Sequence, residues 1–375
     1  MGTNFKEILE SYDPKRQLAT ASTPPSSWYT DPSILELERQ TVFSRAWQCA
    51  GRTAQVSEPG EFVSCEIAGE PILVVGSGNV LRAFFNVCRH HAAVLLTECQ
   101  GKTKNLRCPY HGWTYDLEGK LILTPEFAGV ENFDRSEYGL VPVQTAEWQA
   151  WVFVKLDSGG PILKEFLGAD LLKLIEPLNL EHLNWFQRRS YLLNCNWKVF
   201  VDNYLDGGYH VPQIHGGLNA VLDYSHYTIE TGERFCLQSS PMVNEKRESP
   251  TGAARHGERA RYFWIYPNFM INIYDEVMDT NLVIPRGINK TEVIFDYYFA
   301  DVSESAREKN LASIAVSEQI QAEDVAICES VQRGLNSRAY DTGRLSVRRE
   351  AGEHLFHQLL HADLIAGLTD NQESI

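Results

Sequence analysis

The 375-residue chain contains no run of about 18 apolar residues, so no transmembrane helix is expected. It is also short of basic residues, with 34 Lys and Arg against 49 Asp and Glu, a net charge of −15. That balance excludes nucleic acid as a partner, because phosphate binding needs clustered Lys and Arg. It mildly favours cationic ligands. No Gly-rich nucleotide fingerprint is present, so any electrons used here must arrive from a separate protein. Repeats and low-complexity tracts are missing too. The N-terminal MGTNFKEILESYDPKRQ has neither the apolar core of a signal peptide nor the acid-poor, Arg-rich character of a transit peptide, and a cytoplasmic location is expected. The eight cysteines are scattered, and only two fall into a ligand motif. The others read as small buried side chains in a reducing compartment.

What is present begins with Cys88-Arg89-His90 and, after a gap of 17 residues, Cys108-Pro109-Tyr110-His111. Two thiolates and two imidazoles, arranged C-x-H and C-x-x-H, suit a 2Fe-2S pair with one iron on sulfur and the other on nitrogen. Structural zinc is the alternative for Cys₂His₂, but zinc sites usually pair like ligands, whereas each motif here mixes one Cys with one His. Pro109, Tyr110, Gly112 and Trp113 read as a tight ligand loop, with the Tyr110 hydroxyl a candidate donor to the cluster sulfurs. CPYHGW resembles the Rieske domain of ring-hydroxylating oxygenase α subunits. His91-Ala92 stands where many members have Arg-Gly, so His91 is read as a neighbour and not a ligand.

Length predicts about two domains. Residues 1–40 form a helical lead-in expected to pack on the second domain, with a helix starting at Asp31-Pro32. Short strands run through residues 41–157, the small β domain that carries the cluster, with a hairpin turn at Ser77-Gly78-Asn79. Ser158-Gly159-Gly160-Pro161 marks a boundary, and residues 158–375 read as a larger α+β domain ending in long helices.

A cluster domain needs only about 110 residues, so something in the remainder must use its electrons. Trp197, Phe200, Val201 and Tyr204 have helical spacing and predict a buried helix ending at Gly207-Gly208, which leaves His210 and His215 on irregular backbone. Two imidazoles and a carboxylate form the ligand set of non-heme Fe(II) oxygenases, with positions left open for O₂. The carboxylate is expected far along the chain. Ile314, Ser317, Ile320, Asp324, Ile327 and Val331 recur at helical steps, and Asp324 lies in that apolar stripe. Glu323 is turned off it by about 100°. Asp324 is therefore preferred.

DNYLDGGYHVPQIH (202–215), followed about 110 residues later by EDVAICESVQRGL (323–335), is similar to the catalytic domain of Rieske non-heme iron oxygenases. IYPNFMINIY (265–274) and MDTNLVIP (278–285) most resemble the choline monooxygenases within that family. The resemblance implies a helix-grip catalytic domain, a homotrimer, and electron passage from one subunit's cluster to the next subunit's iron. Many members carry a bridging acid three residues before the first iron-binding His. Gly207 stands there in this chain, which leaves Asp206 and Asp202 as candidates.

A quaternary ammonium group donates no hydrogen bonds and is recognised by aromatic faces. Tyr204, Trp264, Tyr266 and Phe269 are the foremost candidates, with Tyr209, Tyr262 and Tyr274 beside them. The substrate expected from the resemblance is choline, oxidised to betaine aldehyde hydrate; the alternatives are carnitine, glycine betaine or an arene. A non-enzymatic electron carrier is the remaining class. The electron donor is expected to be a ferredoxin or flavin reductase. It would dock on Lys102, Lys104 and Arg107 or on a second basic run, Arg333, Arg338, Arg344, Arg348 and Arg349. His354, His357 and His361 share a helical face and read as part of a packed helix, not as a metal site.

Overall fold

The computed structural model describes residues 5–78, 80–243, 250–255 and 257–373. Two compact units emerge: Phe43–Phe166, and Met1–Val42 together with Leu167–Ile375. Among the described residues no helix is long and apolar enough to cross a membrane.

The first unit is built from short antiparallel strands. These are β1 (Gln48–Arg52), β2 (Glu61–Ile67), β3 (Glu70–Ser77), β4 (Val80–Phe85), β5 (Gln100–Lys102), β6 (Leu106–Arg107), β7 (Thr114–Tyr115), β8 (Leu121–Leu123), β9 (Pro142–Trp148) and β10 (Trp151–Lys155). One sheet runs β1-β10-β9-β4-β3-β2-β5 and a smaller one β6-β7-β8. Ser77 pairs with Val80 across the expected hairpin, while Asn79 lies outside the described residues. β3 is buried on both faces. Leu73 and Val75 pack in one core with Cys88, Cys108 and Trp113, while Ile72 and Val74 join Val152 and Val154 in the other. The Ser158–Pro161 turn is tied within this unit, because the buried Lys155 Nζ donates to the carbonyls of Gly159 and Pro161.

In the second unit a seven-stranded antiparallel sheet runs β11-β17-β16-β15-β14-β13-β12. Its strands are β11 (Asn184–Leu193), β12 (Thr228–Thr231), β13 (Phe235–Pro241), β14 (Arg259–Ile265), β15 (Phe269–Tyr274), β16 (Val277–Gly287) and β17 (Lys290–Phe299). The helices are α1 (Phe5–Glu10), α2 (Ser27–Thr30), α3 (Pro32–Glu38), α4 (Leu163–Leu167, at the junction), α5 (Ala169–Ile175), α6 (Trp197–Leu205), α7 (Val211–Ile214), α8 (Gly216–Asn219), α9 (Pro250–Ala254), α10 (Arg307–Leu335) and α11 (Ala351–Glu373). The whole is an α+β, helix-grip arrangement.

Local chemistry explains the elements that matter for the site. Asp31 caps α3 by accepting the Ser33 N–H, with Pro32 in the first turn where its missing donor is harmless. Glu38 at the end of α3 meets Lys198 Nζ at 2.5 Å and the Trp197 indole N–H at 2.7 Å, so the lead-in is pinned to α6 by a fully buried ion pair. Asn196 caps α6 by accepting the Lys198 N–H. The buried stripe of α10 departs from expectation. It continues through Gln321, Cys328, Gln332 and Leu335, while Val331 is 44% exposed, because the true helical period drifts off a fixed three-and-four spacing.

Candidate functional site

In the first unit, the two ligand motifs fold into matching loops. The Cys88 N–H donates to Ala93 O and the Ala92 N–H returns to Cys88 O; likewise the Cys108 N–H donates to Trp113 O and the Gly112 N–H to Cys108 O. Both loops turn through a left-handed residue, Ala92 at φ 59° and Gly112 at φ 72°. The His90 and His111 rings come within 4.8 Å, and His90 is stacked on Trp113 at 4.6 Å. His90 Nδ1 is buried without a hydrogen-bond partner. An orphaned imidazole nitrogen beside two buried, mutually interacting thiols fits the mixed donor set of a Rieske cluster. His91 touches the His90 ring but stays exposed. The hydroxyl at the sulfurs belongs to Tyr115, 3.5 Å from Cys88 Sγ, and not to Tyr110, which is 66% exposed with its ring against His111. Tyr110 lies on the loop tip, whereas the short strand β7 aims Tyr115 inward.

In the second unit, His210, His215 and Asp324 offer ligand atoms that all lie within 4.8 Å of one another. The two histidines flank a single helical turn, α7, in place of the irregular backbone expected. His210 Nδ1 is 2.6 Å from Asp206 Oδ2, and His215 Nδ1 is 2.6 Å from Glu323 Oε2. Each carboxylate holds its ring proton on Nδ1 and leaves the Nε2 lone pair free. Those Nε2 atoms stand 3.8 Å and 3.0 Å from the same Asp324 oxygen, which Asn203 Nδ2 also approaches at 2.9 Å. Lone pairs and a carboxylate converging on one point repel unless a cation lies between them, so the donor set fits iron. Burial pulls the His215 pKa down, but hydrogen bonds to the accepting carboxylates of Asp324 and Glu323, with their negative charges, overcome this and raise it.

The two candidate bridging acids separate. Asp206 contacts His210 directly. Asp202 faces away, accepting the Tyr29 hydroxyl at 2.7 Å and lying 3.0 Å from His357 Nε2. Asp202 and His357, with Glu353 3.9 Å from His357 Nε2, form a second gathering of ligand-type atoms, in which a hydrogen bond already joins Asp202 and His357. The glycine at 207 has a steric cause. A Cβ there would lie 2.1 Å from the Arg349 carbonyl oxygen, and φ is +69°, so no side chain, acidic or other, fits at that position without a shift of the backbone.

A cavity of about 110 Å³ opens beside the triad, lined by His210, His215, Asp324, Tyr204, Tyr227, Tyr262 and Tyr274 among others. Of the expected aromatics it takes Tyr204, and Tyr262 and Tyr274 from the wider set. Trp264 shares the Tyr262 face but lies fully buried beyond the cavity against Phe356, its indole donating to Pro267 O. Tyr266 donates its hydroxyl to Asp363 instead. Phe269 pairs with Ile265 and so points to the opposite face of the sheet from Asn272. Tyr209 is 57% exposed and does not line the cavity. The structure adds Tyr227, Arg255 and Asp279, and gives Glu323, set aside as a ligand by its helical angle, a place behind His215. Only Asp279 had a visible signal, being an acid in strict alternation with Asn281 on one strand face. Of the basic runs, Lys102, Lys104 and Arg107 are exposed. In the second run Arg333, Arg338 and Arg348 are exposed as well, whereas Arg349 is buried, stacked on Tyr224 at 4.0 Å, and Arg344 binds the carbonyls of Ala19 and Ala21.

Family comparisons agree with both centres. The Rieske [2Fe-2S] domain matches residues 46–134, and the catalytic domain of the ring hydroxylating alpha subunit matches residues 180–364. The chloroplastic choline monooxygenase of Arabidopsis thaliana is 39% identical over 96% of this chain and 87% of its own. The carnitine monooxygenase oxygenase subunit of Escherichia coli K12 is 33% identical over 91% and 93%. A solved quaternary ammonium Rieske monooxygenase with bound L-carnitine superposes with a TM-score of 0.80 at 27% identity, over 97% of this chain and 99% of that one. Naphthalene 1,2-dioxygenase from Rhodococcus, at 19% identity and a TM-score of 0.76, shares the fold.

Proposed function

This chain belongs to the Rieske non-heme iron oxygenases, oxidoreductases with a 2Fe-2S cluster and a mononuclear iron, and from that premise we propose that it hydroxylates a small quaternary ammonium compound, choline foremost. Four tyrosines lining the cavity beside His210, His215 and Asp324 carry this reading, because aromatic faces attract a cation that cannot hydrogen-bond. The cavity is small, which suits a compact ammonium better than a multi-ring arene. With choline the balance is choline, O₂, two electrons and two protons to betaine aldehyde hydrate and water. Carnitine is the second reading, supported by the relative and the solved structure named above.

We assign Cys88, His90, Cys108 and His111 to the cluster and His210, His215 and Asp324 to the iron. When bound, the iron supplies O₂ activation and the cluster supplies single electrons. The protein's part is orientation. Asp206 and Glu323 fix the tautomer and tilt of the two imidazoles, and Asn203 turns the Asp324 carboxylate toward them. Asp206, in contact with His210, is our bridging acid: in a homotrimer its hydrogen bonds would link His210 to the ligands of a neighbouring copy's cluster, along the path by which that cluster would supply electrons to the iron. A ferredoxin or flavin reductase would dock on the exposed Lys102, Lys104 and Arg107. A cytoplasmic site of action agrees with the six cysteines outside the cluster standing as thiols.

The test is anaerobic reduction followed by a single exposure to O₂ with choline, carnitine, glycine betaine and a simple arene in parallel, products read by mass spectrometry. Betaine aldehyde from choline is the expected result. Oxidation of the arene alone, or reoxidation of the cluster without product from any ammonium compound, overturns the reading.

A further inference from the structure

The cavity contains a charge that the iron ligands leave unexplained. Asp279 on β16 is 3% exposed, and the register Tyr262↔Asn272↔Asp279 turns it to the same face as the cavity tyrosines. Its Oδ1 accepts from Asn272 Nδ2 at 3.0 Å and Asn281 Nδ2 at 3.2 Å, and no hydrogen bond from a described residue reaches Oδ2. The other three buried acids among the described residues each have a cation or an imidazole. Glu38 meets Lys198 at 2.5 Å, Asp296 meets Arg188 at 2.6 Å and Glu353 lies 3.9 Å from His357. Asp279 has only neutral amides. Arg255 is the nearest candidate partner, but it donates to Ser313 Oγ at 2.7 Å and lies over the Tyr274 ring at 4.8 Å, forming no ion pair with Asp279. Ser313 precedes Asp324 by eleven residues on α10, roughly 16 Å along the axis. Arg255 therefore marks the far end of the cavity. Asp279 stands between the two ends, since Asn272 beside it accepts the hydroxyl of Tyr204, the neighbour in sequence of the Asn203 that holds Asp324.

A buried carboxylate with no ion-pair partner in contact, only the field of Arg255 at the end of the cavity, and one oxygen without a hydrogen bond from a described residue beside a tyrosine-lined cavity, is an incomplete ion pair. We propose that Asp279 is the counter-ion of the substrate's quaternary ammonium group, the residue that makes the cavity select a cation over a neutral molecule of the same shape. This rests on the function proposed above and deepens it. Tyrosine faces alone would solvate a tert-butyl group almost as well as a trimethylammonium group; a carboxylate separates them by charge. Burial raises the pKa of Asp279, while Arg255 and the two asparagines favour its ionised form, and an arriving cation adds to that preference.

One isosteric pair tests it: choline, a cation, with 3,3-dimethylbutan-1-ol, its neutral carbon analogue. Each is assayed for kcat and KM on full-length, metal-loaded wild type, Asp279→Asn and Asp279→Glu, with iron and cluster content measured alongside. The expected result is that Asp279→Asn loses about tenfold or more of the preference for the ammonium member, through KM, with the neutral member unchanged. Asp279→Glu should restore part of the preference. Retention of the preference in Asp279→Asn overturns the inference. Parallel loss on both members, or loss of iron, would mean that Asp279 only holds the strand amides, and also overturns it. A wild type that accepts no ammonium compound overturns the substrate reading, and this one with it.

Discussion

Both ring nitrogens of His215 are held by neighbouring acids of one helix, Nδ1 at 2.6 Å from Glu323 and Nε2 at 3.0 Å from Asp324. Consecutive residues on a helix point about 100° apart. The imidazole lies in that angle, so one acid can orient the ring while the other shares its metal. Gln319 Nε2 in turn donates to Glu323 Oε1, which stiffens the clamp.

Glu323→Gln should therefore weaken iron binding without disturbing the cluster. The expected loss of iron affinity is about 10- to 100-fold, typical for removal of a carboxylate behind a metal-bound histidine. Metal analysis after dialysis at graded iron concentrations, with the cluster's visible absorption as control, reads it. Iron affinity equal to wild type would mean that the clamp is dispensable.

Asp206→Asn and Asp202→Asn should part company. Asp206 touches His210 as Glu323 touches His215, so its amide variant is expected to keep the cluster and, even when reloaded with iron to wild-type content, to lose nearly all multiple turnover. Asp202 ties Tyr29 to His357, so Asp202→Asn should keep turnover and lower the melting temperature, at a cost of about 1–3 kcal/mol for the broken buried network. The reverse pattern would assign the bridge to Asp202.

Tyr115→Phe removes the hydroxyl 3.5 Å from Cys88 Sγ. A hydrogen bond to a cluster thiolate stabilises the more negative, reduced state, so its loss should move the reduction potential downward. Protein-film voltammetry measures the shift, and an unchanged or higher potential would exclude Tyr115 as a tuning group.

Glu353 gives a pH dependence. Burial first, then the nearby Asp202, Glu350 and Asp206, raise its pKa well above that of an ordinary glutamate. The folded protein therefore holds a proton that the unfolded chain releases above about pH 4.3, and the stability from this group falls as pH rises from there through the folded pKa. Glu353→Gln should flatten that fall, with melting temperatures closer together between about pH 5 and 9 than in wild type. An unaltered slope would mean that Glu353 is ionised in the native state.

Much of the chemistry was legible in the sequence because metal ligands carry it in residue type and spacing. Cys88, His90, Cys108 and His111 announce a mixed sulfur and nitrogen donor set, and Asp324 betrays itself as an acid in an apolar helical stripe. Pattern reading picked Asp324 over Glu323 but had no means of seeing that Glu323 reaches the back of His215. It also favoured aromatic residues at 264, 266 and 269. Type alone cannot say how far along a strand the cavity extends, nor on which face Phe269 falls until β14 and β15 are in register.

The sequence by itself determined the two sets of metal-type side chains on offer, the order of the Rieske and catalytic domains and the acidic balance, because each rests on local composition and short-range spacing. Only the tertiary structure decided why Gly207 excludes an acid, since the Arg349 carbonyl that forbids a side chain there is distant in sequence. Tertiary structure likewise decided which tyrosines line the cavity beside His210, His215 and Asp324, and left Asp279 facing them without an ion-pair partner in contact. These relations depend on strand register and on helices meeting across the sheet, and the chain sets them only when it folds.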